Sequence, residues 1–176
     1  KHKSKDTILV VDGYHGFCAV PTDLSELEDD IFYMAGAYKY AQGGEGMCFM
    51  TIPKDCELRP INTGWFASFE SLEAQTTEVD YAPNGWRFAG STRDFTAHYR
   101  FNAVWDQFFA DGHTIESIHE YIQGLQDSFL KAVNMPESFT NTNLASQGHF
   151  LTIDCGSEAK ANSLYEMLKK DSVLTD

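Results

Sequence analysis

Two residues have types and settings suited to covalent chemistry with an aldehyde. Lys39 stands in Ala37-Tyr38-Lys39-Tyr40-Ala41, among small and aromatic side chains, with no acid within five residues on either side. An amine that is partly screened from water and lacks a local carboxylate loses part of what favours its ammonium form. The neutral amine is the form that attacks an aldehyde to make a Schiff base. Asp12 ends the apolar run Ile8-Leu9-Val10-Val11. A poorly solvated carboxylate there is expected to hold a cation or a protonated ring nitrogen. Each residue alone has a blander reading, a lysine stem lying along the surface or an ordinary strand-end acid. The combination points to a site.

The elements that must position this pair follow from the pattern around them. Four apolar residues closed by an acid predict a buried parallel strand of an α/β sheet, and ligands of such sheets gather beyond the carboxyl ends of the strands. Gly13 to Gly16 read as a polar turn, an acid-rich connector follows, and Ile31 to Ala35 predict a second strand. That strand delivers Lys39 to the same edge, just before the turn Gly43-Gly44-Glu45-Gly46. Met47 to Ile52 predict a third strand, stopped by Pro53. Residues 54–71, which hold Pro60 and Gly64, are expected as a loop crossing the surface.

Further along, Phe95 to Ala110 reads as an aromatic-rich helix broken at Asp111-Gly112, with His98 on it left without an assigned role. From Thr114 a longer helix carries Ile115, Ile118, Ile122, Leu125, Phe129 and Val133 at helical spacing, closed by Asn134 and Pro136. Phe150 to Gly156 reads as a strand, and Ser157 caps a last helix with Leu164, Met167 and Leu168 on one face.

The 176 residues carry 13 Lys and Arg against 26 Asp and Glu, a net charge of −13. This acidity argues against nucleic acid or an anionic membrane as partner. Hydrophobic residues make up 43% of the chain, enough for one globular domain with a core. No apolar run approaches membrane-spanning length. Cys18, Cys48, Cys56 and Cys155 show no CxxC spacing and read as reduced, cytoplasmic thiols, with no metal cluster.

Three strings together resemble a known family: Val11-Asp12-Gly13-Tyr14-His15-Gly16, Asp30-Ile31-Phe32-Tyr33, and Ala37-Tyr38-Lys39-Tyr40-Ala41-Gln42-Gly43-Gly44-Glu45-Gly46. In order and separation they resemble the pyridoxal-phosphate core of the class V aminotransferases, the family that includes kynureninases and cysteine desulfurases. The resemblance implies an α/β chain of the aspartate-aminotransferase-like, fold type I architecture. Lys39 would be the Schiff-base lysine and Asp12 the acid that keeps the pyridine nitrogen protonated. His15 would lie near the cofactor ring oxygen, where many relatives carry Gln. Tyr38 departs from the His that precedes the lysine in many desulfurases and is similar to kynureninase-type sequences. Gly64-Trp65-Phe66 resembles a kynureninase-like element, making Trp65 either a site wall or a core residue. Within Trp86-Arg87-Phe88-Ala89-Gly90-Ser91-Thr92-Arg93, Thr92 matches the threonine that reaches the phosphate of the partner subunit's cofactor, which implies a homodimer. Read without the family, Gly90-Ser91-Thr92 is equally an ordinary helix start. Arg93 stands where relatives often have Pro.

The resemblance places residues 1–112 in the later part of the large cofactor-binding domain and 113–176 in a linking helix and part of the small C-terminal domain. The opening Lys1-His2-Lys3-Ser4-Lys5-Asp6 has no initiator Met, and the related enzymes carry a long phosphate-gripping segment before this point. The chain is therefore expected to be the middle and later part of a longer enzyme, either a fragment or a cleavage product, that holds its cofactor poorly alone. Expected chemistry is a reaction of an amino-acid substrate, with transamination first and kynureninase-like carbon–carbon cleavage second. Desulfuration ranks third, because Cys155 is expected to be structural. The rivals are a non-catalytic protein that kept the fold and an unrelated α/β domain in which Asp12 holds a metal.

Overall fold

A computed structural model describes residues 4, 7–74, 77–137, 139–141 and 148–175. The opening segment Lys1 to Asp6, apart from Ser4, and the final Asp176 lie outside them. The chain divides into two compact units, Lys1–Ile115 and Glu116–Asp176.

The first unit is built on a three-stranded sheet in the order β1-β2-β3, comprising β1 (Leu9–Asp12), β2 (Ile31–Gly36) and β3 (Cys48–Thr51). β1 and β2 run parallel with Asp12 opposite Met34, and β3 returns antiparallel with Cys48 opposite Gly36. β2 is the central strand, and its period-two alternation is carried through to the packing. Ile31, Tyr33 and Ala35 sit on one face, covered by Val11, Phe17, Leu24 and Phe49. Phe32 lies on the other, edge-on to Phe88 with ring centroids 6.0 Å apart. β1 departs from the buried strand that its sequence predicts. Among the described residues it lies at the edge of this sheet and pairs only with β2, with Leu9 44% and Val10 50% exposed.

The stretch 54–71, expected as open loop, ends in a short 3-10 helix, Trp65–Ser71, and a second one, Gly85–Phe88, follows it. Asn84 starts the second by accepting a hydrogen bond from the Trp86 amide. Next comes α1 (Thr96–Ala110). Its first turn is held by Asp94, which accepts from both the Thr96 amide at 2.8 Å and the Thr96 hydroxyl at 2.6 Å. Those two donors keep the Asp94 carboxyl below its ordinary range. Ser91, in a bend, and Thr92, in irregular chain, precede it.

In the second unit α2 (Ile115–Ala132) follows the predicted span closely. The strand expected over Phe150 to Gly156 is reduced to β5 (Ile153–Asp154), paired antiparallel with β4 (Thr140–Asn141). Ser157 caps α3 (Glu158–Lys170) through the Lys160 amide. Leu164 and Leu168 are half-buried on α3, whereas Met167 is 56% exposed. Among the described residues no helix is long and apolar enough to cross a membrane.

Candidate functional site

The site is assembled at the carboxyl ends of the two parallel strands. β1 ends on Asp12, whose carboxylate accepts the Tyr14 amide at 3.0 Å and so shapes the turn that follows. The Gly13 amide donates to the Met34 carbonyl at 2.7 Å, tying that turn to β2. Gly13 must be a glycine, since a Cβ there would fall 2.2 Å from the buried Tyr33 ring. The turn carries Tyr14 across β2, with its ring over Gly36, and carries His15 toward the segment that leaves β2.

That segment holds Lys39. Its Nζ lies 2.6 Å from His15 Nε2 and 3.2 Å from Nδ1, so amine and imidazole are hydrogen-bonded. The same nitrogen is 6.0 Å from the centre of the Tyr14 ring and 5.8 Å from that of Tyr38, and the two rings are tilted against each other at 5.5 Å. At such distances an aromatic face attracts a cation without fixing it. Burial, then the neighbouring Cys48, Tyr38 and Asp12, push the Tyr14 hydroxyl above its usual range. Asp12, Tyr14, Tyr38 and Cys48 thus share one electrostatic neighbourhood, with Lys39 beside the two tyrosines. Tyr40, on the far side of Lys39, stands edge-on to His15 at 6.4 Å.

Lys39 is placed by its backbone as much as by its side chain. The Gly43 amide donates to the Ala37 carbonyl at 2.8 Å and the Gln42 amide to the Lys39 carbonyl at 3.1 Å, folding residues 37–43 into a closed loop. α1 braces it through the buried indole of Trp105, which donates to the Ala41 carbonyl at 2.9 Å, and through Arg100, which donates to the carbonyls of Gly43 and Glu45. Neither residue carries a local sequence signal. Trp105 reads as an apolar helix position, and Arg100 as a charge on an exposed one.

The other expected site residues form a second cluster. Gly64 packs directly on Gly90 and Ser91, where a Cβ would come within 2.4 Å of the Ser91 hydroxyl, and the Phe66 amide donates to the Gly90 carbonyl at 2.9 Å. The Gly-Trp and Gly-Ser-Thr elements are therefore neighbours. Trp65 is neither buried in the core nor among the rings around Lys39. It is 43% exposed and stacked on Phe66 at 4.5 Å. Thr92 is exposed, in the irregular chain before α1. The four cysteines are all free: Cys18 and Cys155 are buried, Cys48 is exposed, and burial pushes the Cys18 thiol up to about 12. Among the described residues no group of three or more His, Cys, Asp and Glu is arranged to hold a metal ion.

The set of groups around Lys39 fits pyridoxal phosphate. A primary amine suited to its aldehyde, a carboxylate suited to its ring nitrogen and aromatic faces suited to its flat ring all belong to the one neighbourhood.

Comparison with known proteins agrees with this chemistry. No curated protein sequence matches the chain. One solved structure, a C-DES lysine-to-alanine mutant with glycine covalently linked to its PLP cofactor, superposes with a TM-score of 0.64 at 18% identity, covering 90% of this chain and 41% of that one. The fold is thus that of a PLP-dependent enzyme of fold type I, and the chain spans less than half the length of this relative. The sequence pattern of the class-V aminotransferases, a PLP-dependent family, matches residues 1–174, and the chain belongs to that family.

Proposed function

We propose that this chain belongs to an aminotransferase that acts on an amino acid through pyridoxal phosphate bound covalently to Lys39. The observation that carries the reading is the Lys39 amine held 2.6 Å from His15, with Asp12 ending the adjacent parallel strand. When bound, the cofactor supplies an electron sink for the carbanion left at the substrate Cα. The chain's own residues do the rest. Asp12 holds the proton on the pyridine nitrogen, which keeps that sink effective. Lys39, freed by the substrate amine, would take the proton from Cα, a general-base step worth about 10²–10⁴-fold. His15 orients the Lys39 amine, while Tyr14 and Tyr38 offer aromatic faces beside it. Thr92 is exposed and available to a second subunit, so a cytoplasmic homodimer with Thr92 serving the neighbouring cofactor phosphate completes the reading.

A lyase reading of the kynureninase kind rests on Tyr38 and on the Gly64-Trp65 pair, of which Gly64 packs against Gly90 and Ser91. The two are separated by feeding the full-length protein and cofactor 15N-labelled amino acids together with unlabelled keto acids. Transamination moves the label into the keto acid and leaves both carbon skeletons intact. Release of a side-chain fragment, with no label in the keto acid, would reject transamination in favour of cleavage.

A further inference from the structure

The loop that carries Lys39 is bridged from outside by one side chain. Arg100 sends Nε to the Gly43 carbonyl and Nη2 to the Glu45 carbonyl. These acceptors flank Gly44, whose φ of +70° turns the backbone so that both carbonyls face α1. A Cβ on Gly44 would sit 3.1 Å from the guanidinium, so the glycine also makes room for the arginine's flat face. Two donors in a fixed planar fork are what a guanidinium offers and an ammonium does not. Trp105 fixes Ala41 from the same helix, and Ala97, Phe101 and Trp105 recur at i, i+4 and i+8 on the face that covers the loop. Lys39 lies four residues before Gly43, inside the loop closed by the bond from the Gly43 amide to the Ala37 carbonyl.

From this geometry we infer that Arg100 is a positioning residue for Lys39, holding the loop so that Nζ meets the cofactor aldehyde. The inference rests on the proposal that Lys39 bears the cofactor. In the step concerned, the neutral Nζ attacks the aldehyde carbon and a C=N bond forms, while the aldehyde oxygen leaves as water carrying the two protons of the amine. Placement of the amine contributes to the rate of that step without contributing to cofactor binding.

The test compares full-length wild type with Arg100→Lys, and with Arg100→Gln, which keeps one donor. Two quantities are read: the rate of Lys39 bond formation against pyridoxal phosphate concentration, and hydrogen exchange at the Gln42 and Gly43 amides without cofactor. In folded R100K the limiting rate is expected to fall at least tenfold while the half-saturating concentration stays within twofold. Exchange at the two amides rises at least tenfold, and R100Q, which also lacks the two-nitrogen fork, behaves alike. An unchanged limiting rate would overturn the inference even if exchange rises. So would a loss of cofactor binding, or exchange rising across the whole first unit, since either shows general loosening. A wild type that forms no bond at Lys39 removes the proposed function and the inference together, whereas wild-type rates in the variants remove only the inference.

Discussion

Replacing Gly13 by alanine tests how the turn after β1 is seated. A Cβ at this position would lie 2.2 Å from Tyr33 Cζ, 2.3 Å from its hydroxyl oxygen and 2.4 Å from Cε2. Non-bonded carbons rest at about 3.5–4.0 Å, so the methyl overlaps the ring by more than about 1 Å. Tyr33 has little freedom to withdraw, being 5% exposed and packed with Ile31 and Ala35 in the core. The turn is held as well, through the 2.7 Å bond from Gly13 to Met34. Overpacking of this kind costs about 1–3 kcal/mol. Tyr33→Ala alone should cost about 3–5 kcal/mol, by analogy with other large aromatic truncations. In the double variant the new methyl enters space the ring has left, so the two changes should couple favourably by about 1–3 kcal/mol. Trp65, Trp86 and Trp105 all lie in the first unit, so urea unfolding followed by tryptophan fluorescence reads the four proteins directly. Strict additivity across the cycle would refute the assigned clash.

Three other outcomes are expected. Trp105→Phe removes the donor to Ala41 and leaves a buried carbonyl unpaired, which should cost about 1–3 kcal/mol in the same unfolding assay. Lys39→Ala should lower turnover by at least about 10²–10⁴-fold and leave the unfolding midpoint nearly unchanged, because Lys39 is not part of the core. With native protein at pH 8, iodoacetamide should label the exposed Cys48 before Cys18, as mass spectrometry would show, since the Cys18 thiol is pushed up to about 12 by burial. The folded state keeps that proton where the unfolded chain has lost it, so stability falls as pH rises from about 9 to about 12, with a limiting slope near 1.4 kcal/mol per pH unit. Cys18→Ala should remove the onset of that decline; the raised Tyr14, Tyr33 and Tyr40 hydroxyls enter only from higher pH.

The parts legible from sequence were those governed by local pattern. The alternation of Ile31, Tyr33 and Ala35 fixes the face of β2, and the spacing from Ile115 to Val133 marks α2, because both periods are written in consecutive residues. Lys39 and Asp12 stand out by residue type and setting, and the strand ends that carry them bring them to one neighbourhood. The bracing of the Lys39 loop was not legible. Trp105 is 64 residues from Ala41, and Arg100 is 57 and 55 residues from its two acceptors, so no local period encodes either contact. The start of α1 at Phe95 was legible to within one residue, but the residue that holds its first turn was not. Ser91 and Thr92 have the right chemistry for a cap, yet Asp94 makes the bonds, because Gly90 and Ser91 are engaged in packing on Gly64. The exposure of β1 depends on which strands flank it, which its own residues do not state.

The most direct test of the central claim is the absorbance of the full-length protein with pyridoxal phosphate, followed by borohydride reduction and peptide mapping. The claim requires a visible band that reduction abolishes, with the pyridoxyl mass on the peptide containing Lys39 and absent from Lys39→Ala. No band, or an adduct on another lysine, would contradict the role given to Lys39 and to the site built around it.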